Sequence, residues 1–236
     1  MDAMKKLTLL APAAAVGLTM LMAMPASPAF AGPSYTFFSV SEGTQPSNVG
    51  TITLTQVNGT TVDVLVDLID TTLPNPQYGF VNTGGPHTPF AFSIAGTETG
   101  VSATFIQPAG GVFSFGLFTL STDPNESNTP YGTYGVAIDS SAGNGSGQAY
   151  FGDLEFNLIR TSGLSTDDFV LNSVLGLDAG SSGPAYFTAD LTDGFNTGAQ
   201  AWKTRDGTPV PEPATLALLG TALVGLGAIR RRRKSV

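Results

Sequence analysis

Carboxylic acids are the chemical resource of this chain: 18 Asp and Glu stand against one histidine and no cysteine in 236 residues. Asp167-Asp168 is a vicinal pair, Asp139 precedes the run Gly143-Asn144-Gly145-Ser146-Gly147, and Asp123-Pro124-Asn125-Glu126-Ser127-Asn128 opens like a calcium-binding loop. Hard oxygen donors suit Ca²⁺. The spacing does not, because an EF-hand loop starting at Asp123 needs Gly at Asn128 and a closing Glu at Tyr134. Asp139, Asp167 and Asp168 stand as the Ca²⁺ candidates. Solvated loop acids are the simpler expectation, and no cofactor is required.

Two carboxylates facing each other across a cleft could also hydrolyse glycosidic bonds. Glycosidase clefts present several aromatic platforms, whereas the only tryptophan, Trp202, falls at the end of the central region, where closing the core is its simplest role. His87, the only histidine, sits in Gly84-Gly85-Pro86-His87-Thr88-Pro89, which reads as a rigid loop, and no Gly-x-Ser-x-Gly elbow accompanies it. One histidine without cysteine cannot supply the usual zinc ligands. No phosphate-binding Gly-x-x-x-x-Gly-Lys or dinucleotide fingerprint occurs. The expectation is a protein that is not an enzyme.

The elements that would position these groups read as strands. Gly50–Val57 and Thr61–Leu68 alternate polar with apolar around Asn58-Gly59, which predicts a hairpin with a type I′ turn. In the second strand Val62, Val64, Val66 and Leu68 share the face that should enter the core. Further strand-like runs are Tyr35–Val40, Phe90–Ile94, Val101–Ile106, Gly111–Leu120, Gly132–Ile138, Ala149–Arg160, Ala185–Leu191 and Thr197–Trp202. Ser165-Thr166-Asp167-Asp168 predicts one helical turn over 166–172. Short strands joined by Pro/Gly/Asn/Ser loops, without a fixed repeat, predict an all-β fold: one antiparallel β-sandwich, jelly-roll or immunoglobulin-like.

The two ends of the chain carry different patterns. Lys5 and Lys6 precede an apolar run closed by Pro25 and Pro28, and Ala29 and Ala31 form a small-residue cleavage site. That is a secretory signal peptide over 1–31, with a retained signal anchor as the alternative. At the other end Val210-Pro211-Glu212-Pro213 is followed by an uncharged stretch from Ala214 to Ile229, then Arg230, Arg231, Arg232, Arg233 and Lys234. The order of prolines, apolar helix and cation cluster predicts a transmembrane stop-transfer segment over 209–236. Sixteen apolar residues interrupted by Gly220, Gly225 and Gly227 are short for a permanent span. Between the ends, 32–208 suits one domain. Seven of the ten Lys and Arg lie in the end segments, leaving Arg160, Lys203 and Arg205 against sixteen acids, a formal charge of −13. A field of that sign repels nucleic acid.

The tail resembles the PEP-CTERM protein-sorting signal. Resemblance implies an exported protein of a Gram-negative, exopolysaccharide-producing bacterium, moved by the Sec machinery and processed by an exosortase. Pro211, Glu212 and Pro213 would be the recognition element, Ala214 to Ile229 the membrane segment, and Arg230 to Lys234 the cytoplasmic retention charges. The protein would be anchored in the inner membrane during sorting and then reach the cell surface or the extracellular space. The phrases Gly84–Phe92 and Gly163–Val170 resemble uncharacterised β-sandwich domains of other PEP-CTERM proteins.

A non-enzymatic surface or matrix protein, with its acidity serving solubility or association with exopolysaccharide, is the leading expectation. The alternative is a carbohydrate-binding or adhesion module, and a carboxylate-based glycoside hydrolase is the remote one. A sugar-binding groove requires exposed aromatic side chains, so burial of Tyr131, Tyr134, Tyr150, Tyr186 and Trp202 would count against it.

Overall fold

A computed structural model describes residues 34–40, 49–69, 77–85, 87–123 and 126–205. The signal-peptide and sorting-tail segments, including Ala29, Ala31 and 209–236, lie outside the described residues. Fifteen strands follow in chain order. The first five are β1 (Ser34–Val40), β2 (Gly50–Asn58), β3 (Thr61–Leu68), β4 (Gly79–Phe80) and β5 (Phe90–Ile94). Then come β6 (Val101–Gln107), β7 (Val112–Phe113), β8 (Gly116–Ser121), β9 (Glu126–Asn128) and β10 (Gly132–Tyr134). The last five are β11 (Val136–Ser140), β12 (Leu154–Arg160), β13 (Phe169–Val170), β14 (Phe187–Thr192) and β15 (Thr197–Arg205).

Thirteen of these strands pair antiparallel into one continuous sheet in the order β6-β12-β3-β2-β1-β15-β14-β5-β11-β8-β7, with β13 on β5 and β4 on β14, and β9 and β10 form a separate two-stranded sheet. Apolar side chains from both halves of this ribbon enter one core, so the sheet must curl. Its centre is aromatic: Phe92 lies 6.2 Å from Phe156, 5.6 Å from Phe169 and 6.0 Å from Phe187. Curling brings the two edges together where Phe105 of β6 stacks on Phe118 of β8. Gly111 makes the approach feasible, because a Cβ there would stand 2.8 Å from the Phe118 carbonyl oxygen and 3.1 Å from the Phe105 ring.

The alternation in β3 is realised, with Val62, Val64 and Val66 fully buried. The turn before it differs from the expected one. Asn58 pairs with Thr61, so the turn residues are Gly59 and Thr60, and Gly59 takes no left-handed φ. Asn58 Oδ1 instead accepts hydrogen bonds from Thr60 N–H and Thr60 Oγ1, both at 2.9 Å. The Asn side chain closes the turn by mimicking backbone.

Three expected elements are broken. Gly111–Leu120 splits into β7 and β8 around a tight turn, and Gly132–Ile138 splits into β10 and β11. The helical turn over 166–172 is two 3₁₀ turns, Thr166–Asp168 and Asn172–Leu175, separated by β13. Phe169 prefers the core to a helix surface and is 1% exposed.

β5 and β14 are buried on both faces. Their outer side meets the β9–β10 hairpin, where Tyr131 and Tyr134 pack over Ala91, Ala137, Ala185 and Ala201. The alanines leave room on the sheet for two rings. The Asn172 side chain pins this cover by donating to the Tyr131 and Asp178 carbonyls at 3.0 and 2.9 Å.

Candidate functional site

Strand direction gives the domain two poles. β15 runs from Thr197 to Arg205, and the sorting tail follows Arg205, so every strand end level with Arg205 lies at the tail pole. Register places the Asn58–Thr61 turn, the end of β12 at Arg160 and the start of β6 there. The opposite pole collects the end of β3, β4, the β7–β8 turn, the loop before β12 and the β14–β15 turn.

Two of the calcium candidates belong to the tail pole and are occupied by cations. Asp168 Oδ2 accepts from Ser165 N–H at 2.8 Å and from Arg160 Nη2 at 2.9 Å. Arg160 is 7% exposed and also donates to the Gly163 and Ala95 carbonyls. Asp167 Oδ1 accepts the Tyr35 hydroxyl at 2.9 Å and pairs with Arg205 at 3.3 Å. The Arg205 guanidinium lies 4.0 Å from the Tyr35 ring centre. Donation to Asp167 raises the Tyr35 hydroxyl above its usual range. Asp167 thus fastens the end of the last strand and Asp168 the end of β12. Asp139 is on β11 opposite Thr119, away from that pair. Among the described residues no three His, Asp or Glu side chains converge as a metal site.

Asp190 does not orient His87; its carboxylate serves Thr83, with Oδ2 accepting the Thr83 N–H at 3.1 Å and the Thr83 hydroxyl at 2.6 Å. Asp190 therefore ties Thr83, Thr88 and Pro89 to β14, its own N–H donating to the Thr88 and Pro89 carbonyls. His87 Nδ1 is buried without a hydrogen-bond partner.

Burial pushes the carboxyls of Asp63, Glu126, Asp139 and Asp190 above the usual range. Asp193 alone moves down, because Asn196 N–H and its neighbours donate to it. A raised folded-state value means the native state binds protons more tightly than the unfolded chain. The stabilisation is therefore complete below the ordinary carboxylate range of ~4 and is lost as pH rises through the raised values. Relief of the net negative charge acts in the same direction. The melting temperature is expected to rise as pH falls from about 8 to about 5; a scan showing a fall over that interval would contradict these assignments.

The pole opposite the tail holds two open concavities. One, of about 310 Å³, is lined by Pro108, Val112, Phe113, Phe115, Tyr150 and Phe151. The other, of about 340 Å³, lies beside it and shares Phe151, adding Asp67, Gln77, Tyr78 and Asp153. Phe115 is 53% and Phe151 39% exposed, and Phe195, on the turn between β14 and β15 at the same pole, is 92% exposed. Phe151 is seated against bare backbone, since a Cβ on Gly79 would come within 2.8 Å of its ring. Behind it Tyr150 packs on Phe113 with centroids 5.4 Å apart and donates its hydroxyl to the Asp153 carbonyl at 3.1 Å.

These phenylalanines are not the aromatics the sequence singled out. Trp202, Tyr131 and Tyr134 are fully buried, and Tyr150 and Tyr186 are partly so, which removes a groove built on that set. Trp202 does close the core on the last strand, its Nε1–H donating to the Gly50 carbonyl at 3.1 Å. The signal for the exposed ring set was local: Gly116 and Gly152 each adjoin a phenylalanine inside a run that otherwise reads as strand.

Among the described residues no helix is long and apolar enough to cross a membrane. Residues 209–233 match the PEP-CTERM protein-sorting motif. No curated protein and no solved structure matches the chain. The motif begins four positions after Arg205, the last residue of β15.

Proposed function

We propose that this PEP-CTERM protein is an exported, exosortase-processed surface or matrix protein of a Gram-negative, exopolysaccharide-producing bacterium, with a structural or interaction role and no catalytic one. Its signal peptide over 1–31 directs export through the Sec machinery. The curled sheet acts as one sandwich-like domain, 32–208, that folds outside the cytoplasm. The segment 209–236 holds it in the inner membrane until an exosortase acts at Pro211, Glu212 and Pro213; the product is then at the cell surface or extracellular.

The observation that carries this reading is the sorting motif lying directly after a clasped final strand. Arg205 pairs with Phe37 in the β1–β15 ladder and with the Asp167 carboxylate. Removal of the tail beyond that point would leave the ladder and the ion pair untouched. Co-expression with an exosortase tests it: the mature product loses the tail only where the enzyme is present.

A further inference from the structure

We infer that the pole opposite the tail is a glycan-binding surface, specific for neutral or amino-bearing sugars, with Phe115 and Phe151 as its stacking platforms. The inference rests on the reading above only in that display outside the cell presents this pole to saccharide.

Three independent features of the pole agree. The first is composition. A pyranose ring has apolar C–H faces and a rim of hydroxyls, so it needs flat apolar platforms interleaved with acceptors. The paired clefts supply both: Phe115 and Phe151 as half-exposed rings, and the carboxylates of Asp67 and Asp153 with the amide of Gln77 beside them. A surface meant only for apolar protein contact would not line the cleft of its central ring with carboxylates.

The second is charge. Arg160, Lys203 and Arg205, the only cations between the end segments, all sit at the tail pole by strand register. The cleft pole carries Asp67, Asp153 and Asp193 and no cation among the described residues. Uronic or sulfated chains are repelled there, whereas hydroxyls and ammonium groups are accepted.

The third is support. Phe151 does not drift on the surface: Gly79 gives it a backbone seat, and Tyr150 behind it packs on Phe113 and on Phe118, 5.4 and 5.5 Å away. A ring fixed in this way loses little freedom on binding.

The exported protein can be assayed with three probes by calorimetry or affinity electrophoresis: a β-linked glucan oligosaccharide, a glucosamine oligomer and polygalacturonate. The expected result is retention of the first two and not the third. Phe151→Ala and Phe115→Ala should each weaken binding roughly tenfold. Val57→Ala, 46% exposed at the tail pole, should leave it unchanged. All three side chains are on the surface, so melting temperatures within about 2 °C of the parent confirm folding. Failure of every probe, equal capture of polygalacturonate, or binding indifferent to both phenylalanine changes overturns the inference. So does a self-association that Phe115→Ala abolishes, because the pole is then a contact between copies. None of these outcomes depends on tail processing, so the sorting reading stands or falls separately.

Discussion

Replacing Phe92 by alanine lowers the unfolding free energy by roughly 3–5 kcal/mol. The ring is fully buried on β5 and touches Phe90, Phe156, Phe169 and Phe187, contributed by four different strands. No single neighbour can collapse into the space left, because each is fixed by the backbone pairing of its strand. For a domain of this size the melting temperature should fall by roughly 10 °C. Phe195→Ala, at 92% exposure, is the matched control and should change stability by less than about 0.5 kcal/mol. Urea unfolding of the two variants side by side measures the contrast; a Phe92 variant within about 1 kcal/mol of the parent would mean that the sheet does not curl around this ring.

Gly132→Ala should be nearly as damaging, for a different reason. Gly132 has φ +103°, where an L side chain is strained by about 1–3 kcal/mol. Its Cβ would also overlap the carbonyl of Asp178 and stand 2.7 Å from the Ala179 carbonyl carbon. That Asp178 carbonyl accepts from both Thr133 N–H and Asn172 Nδ2, so displacing it leaves buried donors unpaired. Gly180 is packed as closely, since a Cβ there would stand 2.7 Å from the Gly132 nitrogen. The expected loss is roughly 3 kcal/mol, concentrated in the cover over Tyr131 and Tyr134. Hydrogen exchange should show amides of 126–134 losing protection while β2 and β3 keep theirs. Gly145→Ala, with φ +102° but open space around the site, isolates the strain alone and should cost distinctly less. Equal losses from the two changes would contradict the backbone overlap.

Much of the sheet could be read from residue alternation, and the reasons for the misses are physical. β2 and β3 are legible because one face meets the core and the other water. β5, Phe-Ala-Phe-Ser-Ile, is legible as a nearly continuous apolar run and β14, Phe-Thr-Ala-Asp-Leu-Thr, as an alternating strand, although only the structure shows that the β9–β10 cover buries their second face. β4, β9 and β13 are two or three residues long, too short to display a period. The turn at Asn58 was misplaced by one residue because the Asn side chain, rather than a left-handed glycine, closes it.

The site was less legible than the fold. Phe113, Phe115 and Phe151 lie in runs that look like core strand, and a turn after Phe113 and Gly152 after Phe151 turn those segments outward. Asp167 and Asp168 looked free because ion pairs across sequence cannot be seen from spacing. With three cations facing sixteen acids, the acids that do find a partner fix the structure. Here Asp168 fixes the end of β12, and Asp167 fixes the point where the chain leaves for its sorting tail.

The central claim is that the tail is an address removed after delivery, and the intact mass of the exported protein tests it most directly. The chain is expressed in two otherwise equivalent hosts, one with an exosortase and one without, and the mature product of each is weighed. The predicted result is a product ending near Pro211-Glu212-Pro213 in the first host and one retaining Arg230 to Lys234 in the second, with Glu212→Ala returning the first to the second. Identical C-termini in both hosts would contradict it.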